Sequence, residues 1–242
     1  MSTDFARMAF PNESREYRAA RNALLDAEIE LRRRTEAVAA MRRALPPGGA
    51  VPQDYVFERI GADFRPGSVR LSELFGDFRT ILIYSYMYGP ERDSPCPGCT
   101  HLLDGLDGAA RHVTKRAPLY VVARSPIARL AAWAHARGWN HLQLLSTAGN
   151  AYPVDYHGNT AGMPAAMRAE RGYAEGENHD EPILNVFTRD GDTIRHFWGS
   201  ELVFAPEDPG QDHRGLDSID PVWGLLDTVP EGRGDFFPKV NY

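Results

Sequence analysis

Residues 80–99 read TILIYSYMYGPERDSPCPGC: an apolar run, a polar loop and a Cys-Pro-Gly-Cys turn. No residue from Thr80 to Tyr88 is charged. A short run that is apolar on both faces predicts a central strand, buried on both sides. Gly89 to Pro95 reads as a loop into Cys96. Beyond Cys99, the residues Leu102, Leu103, Leu106, Ala110 and Val113 follow helical spacing. The two cysteines therefore stand where a helix begins, immediately after a buried strand.

That placement carries chemistry. A thiol attacks only as thiolate, and a helix N-terminus lowers its pKa through unpaired N–H groups and the positive end of the dipole. Cys96 is assigned as nucleophile and Cys99, one turn on, as resolving thiol. Pro97 suits the first helical turn, and Gly98 leaves room for a substrate sulfur. The 242-residue chain has only two cysteines; at random they would take this spacing about one time in a hundred. A four-cysteine zinc site cannot be built from one chain, and Thr100 stands where a c-type haem signature needs histidine. Two other readings stay open: zinc on Cys96, Cys99, His101 and a further histidine, and an inert structural pair.

Outward from this centre, Pro118 to Ala123 is a second buried strand. Ser125-Pro126 opens a helix with Ser as N-cap, its core face is Ile127, Leu130, Ala131 and Ala134, and Gly138 ends it. Leu142 to Leu145 is a short strand. Upstream, Tyr55 to Ile60 alternates like a strand, Arg65-Pro66-Gly67-Ser68 reads as a turn, and Leu71, Leu74 and Phe75 mark a short helix ending at Gly76. Strand, helix, strand, helix, strand predicts a parallel sheet with crossover helices. Pro182 to Phe187 and Thr193 to Trp198 form a hairpin around Asp190-Gly191, and Pro221 to Leu226 a last short helix. Between about 150 and 181, glycines and charges interrupt any period. This is read as a loop insertion with one helical turn near Ala165 to Glu170, and as a candidate cover for the site. Arg124, at the C-terminal end of a parallel strand, stands where α/β sheets place their ligands, and is a candidate to hold a thiolate or carboxylate or, equally, to make a surface or structural ion pair.

At the other end, Asn12 or Ser14 caps a helix running to about Arg43, closed by Pro46-Pro47-Gly48-Gly49. Tyr17, Leu24, Leu31, Val38 and Leu45 recur every seven residues. The row suits packing on its own domain or a homodimer seam with a second copy. Residues 1–49 are thus expected as a helical appendage and 50–242 as the main domain. The net charge of −6 argues against a nucleic-acid partner. No apolar run reaches a membrane span, and Met1 to Met8 lacks the apolar core of a signal peptide. A cytoplasmic location is expected.

The order of elements resembles the thioredoxin superfamily, in which a cis-proline precedes the hairpin strand and faces the dithiol. The resemblance implies a thioredoxin-like sheet, with a parallel core plus C-terminal hairpin, flanked by helices. It makes Pro182 the candidate cis-proline, which would leave backbone groups of Glu181 to pair with an extended substrate; the other reading is a trans proline at a strand start. Within that superfamily the chain is similar to the bacterial family catalogued as domain of unknown function 899. The likeness rests on Leu74-Phe75-Gly76, the strand into Cys96-Pro97-Gly98-Cys99, Ala123-Arg124-Ser125-Pro126, Gly138-Trp139, Asp155-Tyr156-His157, Arg189-Asp190-Gly191 and Arg214-Gly215-Leu216-Asp217. It departs from thioredoxins in having no acid on the strand before the dithiol; Glu91 and Asp93 stand only in the loop. It departs from the peroxiredoxin Pro-x-x-x-Thr-x-x-Cys loop in having Gly89 and Asp93 at those places.

The function implied is thiol–disulfide exchange with a protein or small-molecule disulfide, needing neither cofactor nor metal. A binding module of the same fold without redox turnover and a zinc-binding protein are the alternatives.

Overall fold

The computed structural model describes residues 8–61, 65–174 and 176–242. The expectation about a leader at Met1 to Met8 lies almost wholly outside them. The chain divides into two compact units, Met1–Pro46 and Pro47–Tyr242.

The first unit is helix α1 (Arg15–Arg43). Ser14 caps it, its hydroxyl accepting the Tyr17 N–H at 3.0 Å. None of its residues is buried, and the seven-residue row from Tyr17 to Leu45 is exposed throughout.

The second unit is built on β1 (Val56–Ile60), β2 (Pro66–Arg70), α2 (Leu71–Leu74), β3 (Thr80–Ser85), α3 (Pro97–Val113), β4 (Leu119–Ala123), α4 (Ile127–Arg137) and β5 (Gln143–Ser146). It continues with α5 (Tyr152–Asp155), α6 (Ala165–Glu170), β6 (Ile183–Asp190), β7 (Thr193–Gly199) and α7 (Pro221–Leu226). The seven strands form one sheet in the order β2-β1-β5-β4-β3-β6-β7. β3, β4 and β5 are parallel, and the other pairs antiparallel. The result is a thioredoxin-like α/β sheet: a parallel core extended by the β6–β7 hairpin.

Strand alternation sorts the core into two layers. Ile81, Ile83, Tyr120, Val122 and Leu145 join Phe57, Leu71, Phe75, Tyr152 and Phe187 on one face. Tyr84, Val121 and Ala123 face the other way, against Leu102, Leu103 and Cys99 of α3 and Ile127 and Leu130 of α4. The apolar spacing after Cys99 is thus the buried face of α3, and it seats Cys99 in the core.

Some expectations are corrected. Arg65 to Ser68 is not a turn: Pro66 opens the edge strand β2, where a missing N–H costs no ladder bond. β3 ends at Ser85 rather than Tyr88, because the Tyr88 N–H turns back to the Tyr86 carbonyl at 2.7 Å. Pro126, not Ser125, is the N-cap of α4; the Ser125 N–H is taken by the Tyr88 carbonyl at 3.0 Å. Gly48 does more than end a helix. Ala50 bridges to Arg195 of β7, and a β-carbon on Gly48 would lie 1.9 Å from the His196 carbonyl oxygen, so only glycine fits. The 150–181 insertion contains α5 as well as the anticipated turn at α6. With residues 201–207 and 213 it walls a cavity of about 1100 Å³, whose lining includes neither cysteine.

Candidate functional site

The site grows from the C-terminal end of β3. Residues 86–95 leave the sheet there and return to α3, pinned along their length. The Tyr86 N–H bonds the Val122 carbonyl at 2.8 Å, and the Cys96 N–H bonds the Met87 carbonyl at 3.1 Å. Arg129, on the first turn of α4, donates to the Arg92 and Asp93 carbonyls at 2.5 and 3.0 Å and lies over the Tyr88 ring at 4.3 Å. Arg129 fixes the loop, and nothing in the local pattern around it signals this.

Cys96 is the N-cap of α3, with Pro97 at the first helical position. Both cysteines are free thiols; Cys96 is half-buried and Cys99 buried. The Thr100 N–H and hydroxyl both donate to the Cys96 carbonyl, at 2.9 and 2.8 Å, and the hydroxyl also meets the Tyr86 phenol at 2.8 Å. The first turn is therefore anchored to the core beneath it.

The two sulfurs are electrostatically unequal. A hydrogen bond from the Cys99 thiol is the main influence drawing the Cys96 pKa down to about 6. Burial opposes it, while the N–H groups of Cys99 and Gly98 and the charge of Arg92 assist. Cys99 is pushed well above the ordinary thiol range, by its bond to Cys96 and by burial. The Met87 N–H and the Tyr84 hydroxyl pull it partly back. Tyr84 is fully buried, and its phenol makes no conventional hydrogen bond; the Cys99 sulfur is the polar group beside it. Among the described residues no acid is seen in that place. Glu91 is committed to Arg124, and Asp93 gives only its carbonyl, to Arg129.

This asymmetry sets a pH profile. Below pH 6 Cys96 is the neutral thiol; above it, the thiolate. Alkylation of Cys96 by iodoacetamide should rise about tenfold from pH 5 to 7 and then level off. An unshifted thiol would climb roughly twenty-five-fold more from pH 7 to pH 9. Mass spectrometry of the alkylated peptide reads the midpoint, and a midpoint above about 8 would show that neither the Cys99 thiol nor the helix terminus activates Cys96.

The other expected site residues fare differently. Ile183 pairs with Ser85, so Glu181 and Pro182 lie just beyond the end of β3 from which the dithiol loop departs. Among the described residues no peptide bond is cis, so the expected cis-proline at Pro182 is not found. Nor is the Glu181 backbone free: its N–H bonds the Gly158 carbonyl at 3.1 Å. The Glu181 carboxylate is buried and accepts the Tyr173 hydroxyl at 2.6 Å. The insertion has taken the Glu181 N–H, one of the backbone groups that an extended substrate was expected to use. Arg124 is likewise occupied, donating from Nε to Asp180 at 2.5 Å and from Nη2 to Glu91 at 2.7 Å. Asp180 also accepts the Gly89 N–H at 2.7 Å. Arg124 is a strut between insertion and loop.

Among the described residues no group of three or more His, Cys, Asp and Glu side chains could hold an ion. His101 Nε2 lies 2.6 Å from the Asp220 carboxylate and packs edge-on against Trp223. Among the described residues no helix is long and apolar enough to cross a membrane.

The sheet is thioredoxin-like, and Cys96 caps the helix that follows its central strand. The chain belongs to the family DUF899, described as bacterial protein of unknown function, whose model matches residues 8–241. No curated protein matches it by sequence. Among solved structures it is similar to peroxidoxin BcpB from Mycobacterium tuberculosis, at 18% identity over 72% of this chain and 94% of that one, with a TM-score of 0.43. Reduced 2-Cys peroxiredoxin from Plasmodium vivax matches at 16% identity over 72% and 95%, with a TM-score of 0.42. Thioredoxin peroxidase I from Plasmodium yoelii matches at 15% identity over 81% and 98%, with a TM-score of 0.41.

Proposed function

We infer that this protein is a thiol–disulfide oxidoreductase working through Cys96 and Cys99. One observation carries the reading: a half-buried thiol at a helix N-terminus, drawn down to about pH 6 by a buried partner thiol that donates to it.

The chemistry follows from the asymmetry. The Cys96 thiolate attacks one sulfur of a substrate disulfide. That bond breaks, and the leaving thiolate takes up a proton. Cys99 then loses its proton and attacks the Cys96 sulfur of the mixed disulfide, releasing the second substrate thiolate. Two electrons pass from the dithiol to the substrate, and an external dithiol must restore the Cys96–Cys99 pair. The high pKa of Cys99 keeps it protonated until Cys96 has lost its charge by bonding to substrate, which orders the two steps.

Reduced protein should therefore reduce insulin disulfides in the presence of a dithiol donor, with a Cys96–Cys99 couple that titrates reversibly against a thiol redox buffer. A potential near thioredoxin's assigns it as a reductant, and a much higher one as an oxidase or isomerase. Wild-type protein that exchanges with no dithiol or glutathione donor sinks the proposal. The 1100 Å³ cavity between the insertion and residues 201–207 favours a second reading, a binding module with incidental cysteines. A Cys96–Cys99 pair that stays reduced after mild oxidant would select it.

A further inference from the structure

The segment that follows α7 returns to the dithiol. It is held at two points. Arg233, buried and 5.3 Å from the centre of the Trp223 ring, is ion-paired with Asp217 and Asp227. Further on, the Val240 carbonyl accepts Arg137 Nη1 at 2.7 Å, and Arg137 is itself paired with Asp104. Phe237 lies between these anchors. Its Cζ is 3.4 Å from the point where a β-carbon on Gly98 would stand, and the Cys96 sulfur is 3.7 Å from the same point. Ring and nucleophile thus border one methyl-sized space, which the missing side chain of Gly98 keeps open.

Phe237 is nonetheless 60% exposed. An exposed apolar ring is by itself ordinary on a protein surface; its position beside the sulfur is what sets this one apart. This one is carried to the reactive sulfur by a segment tied down on both sides, yet keeps most of its surface toward solvent. Phe236 beside it is also exposed and meets Trp223 edge-on at 6.2 Å, so the apolar surface extends away from the sulfur.

We propose that Phe237 is a specificity-determining residue that selects disulfides flanked by apolar or aromatic side chains, the cystines of unfolded or extended polypeptide, over small polar disulfides. This rests on exchange at Cys96. A substrate sulfur approaching Cys96 brings its neighbouring side chains over the Phe237 ring, and covering that ring removes apolar surface from water. A polar neighbour gains nothing there.

The test uses full-length reduced protein and two synthetic peptide disulfides, one with phenylalanine on either side of its cysteine and one with serine. Wild type should favour the phenylalanine peptide about tenfold in second-order rate constant, the equivalent of roughly 55 Å² of apolar surface covered. In Phe237→Ala that ratio should fall toward one, and in Phe237→Leu most of it should remain. The exposure of Phe237 makes the variants safe for folding. An unchanged ratio in Phe237→Ala overturns the proposal, including an equal acceleration of both peptides, which would make the ring a shield. Those outcomes leave exchange intact. Wild type that reacts with neither peptide instead overturns the exchange reading, and this inference with it.

Discussion

Replacing Cys96 with serine should lower insulin-disulfide reduction by at least about a thousandfold, because a serine hydroxyl has almost no alkoxide at neutral pH and the thiolate is the attacking species. Cys99→Ser should behave differently. The nucleophile survives, attacks once and cannot be released, so a one-to-one mixed disulfide with substrate accumulates and is visible by non-reducing electrophoresis and intact mass. A third variant separates the two roles of Cys99. Its thiol is the leading cause of the low pKa at Cys96. Cys99→Ala removes that donor and should move the Cys96 alkylation midpoint up toward the ordinary thiol range, whereas the serine hydroxyl of Cys99→Ser keeps part of the shift. Retained turnover in Cys96→Ser, or trapping through Cys96→Ser rather than Cys99→Ser, would show the roles to be misassigned.

What was legible in the sequence was local. The apolar run in 80–88 and the spacing after Cys99 identify β3 and α3 because both carry their buried faces in their own periodicity. The β6–β7 hairpin follows from its turn: Gly191, at φ 57°, takes the conformation that Asp190-Gly191 advertises. What was not legible depended on distant partners. Arg124 stands at the expected end of β4, and an ion pair was among its readings, but its partner Asp180, 56 residues on and buried against it, could not be picked out from the sequence. Glu181 and Pro182 were placed by the resemblance at the site's edge, and the insertion claims the Glu181 N–H and carboxylate. The absence of an acid on β3 was plain from the sequence; that Tyr84 would set its phenol beside Cys99 needed the packing of α3 on the sheet. Phe237, in an irregular segment with no period, gave no signal at all.

The same long-range wiring makes Asp180→Ala the most destabilising polar substitution we expect near the site. The Asp180 side chain is 3% exposed, and each carboxylate oxygen has one strong partner: Arg124 Nε at 2.5 Å and the Gly89 N–H at 2.7 Å. Alanine orphans the Gly89 N–H and leaves the largely buried Arg124 guanidinium with Glu91 alone, whose side chain is 62% exposed and so a weak partner. Breaking a buried pair by removing one member costs about 3–5 kcal/mol, and the partial access of Arg124 to water trims this to about 2–4 kcal/mol. In a unit of this size that lowers the melting temperature by roughly 5–15 °C. Asp180→Asn keeps an acceptor for Gly89 and should lose less. Because the two partners share one contact, Arg124→Met combined with Asp180→Ala should cost well under the sum of the single changes in a urea-unfolding cycle. Additive losses, or a loss below about 1 kcal/mol in Asp180→Ala, would refute the strut. Gly89 opens the loop that carries the dithiol, so the variant should also show faster hydrogen exchange over residues 89–95 under conditions where the protein remains folded. The strut thereby links the fold of the insertion to the steadiness of the Cys96 sulfur, at a position with no part in the exchange chemistry.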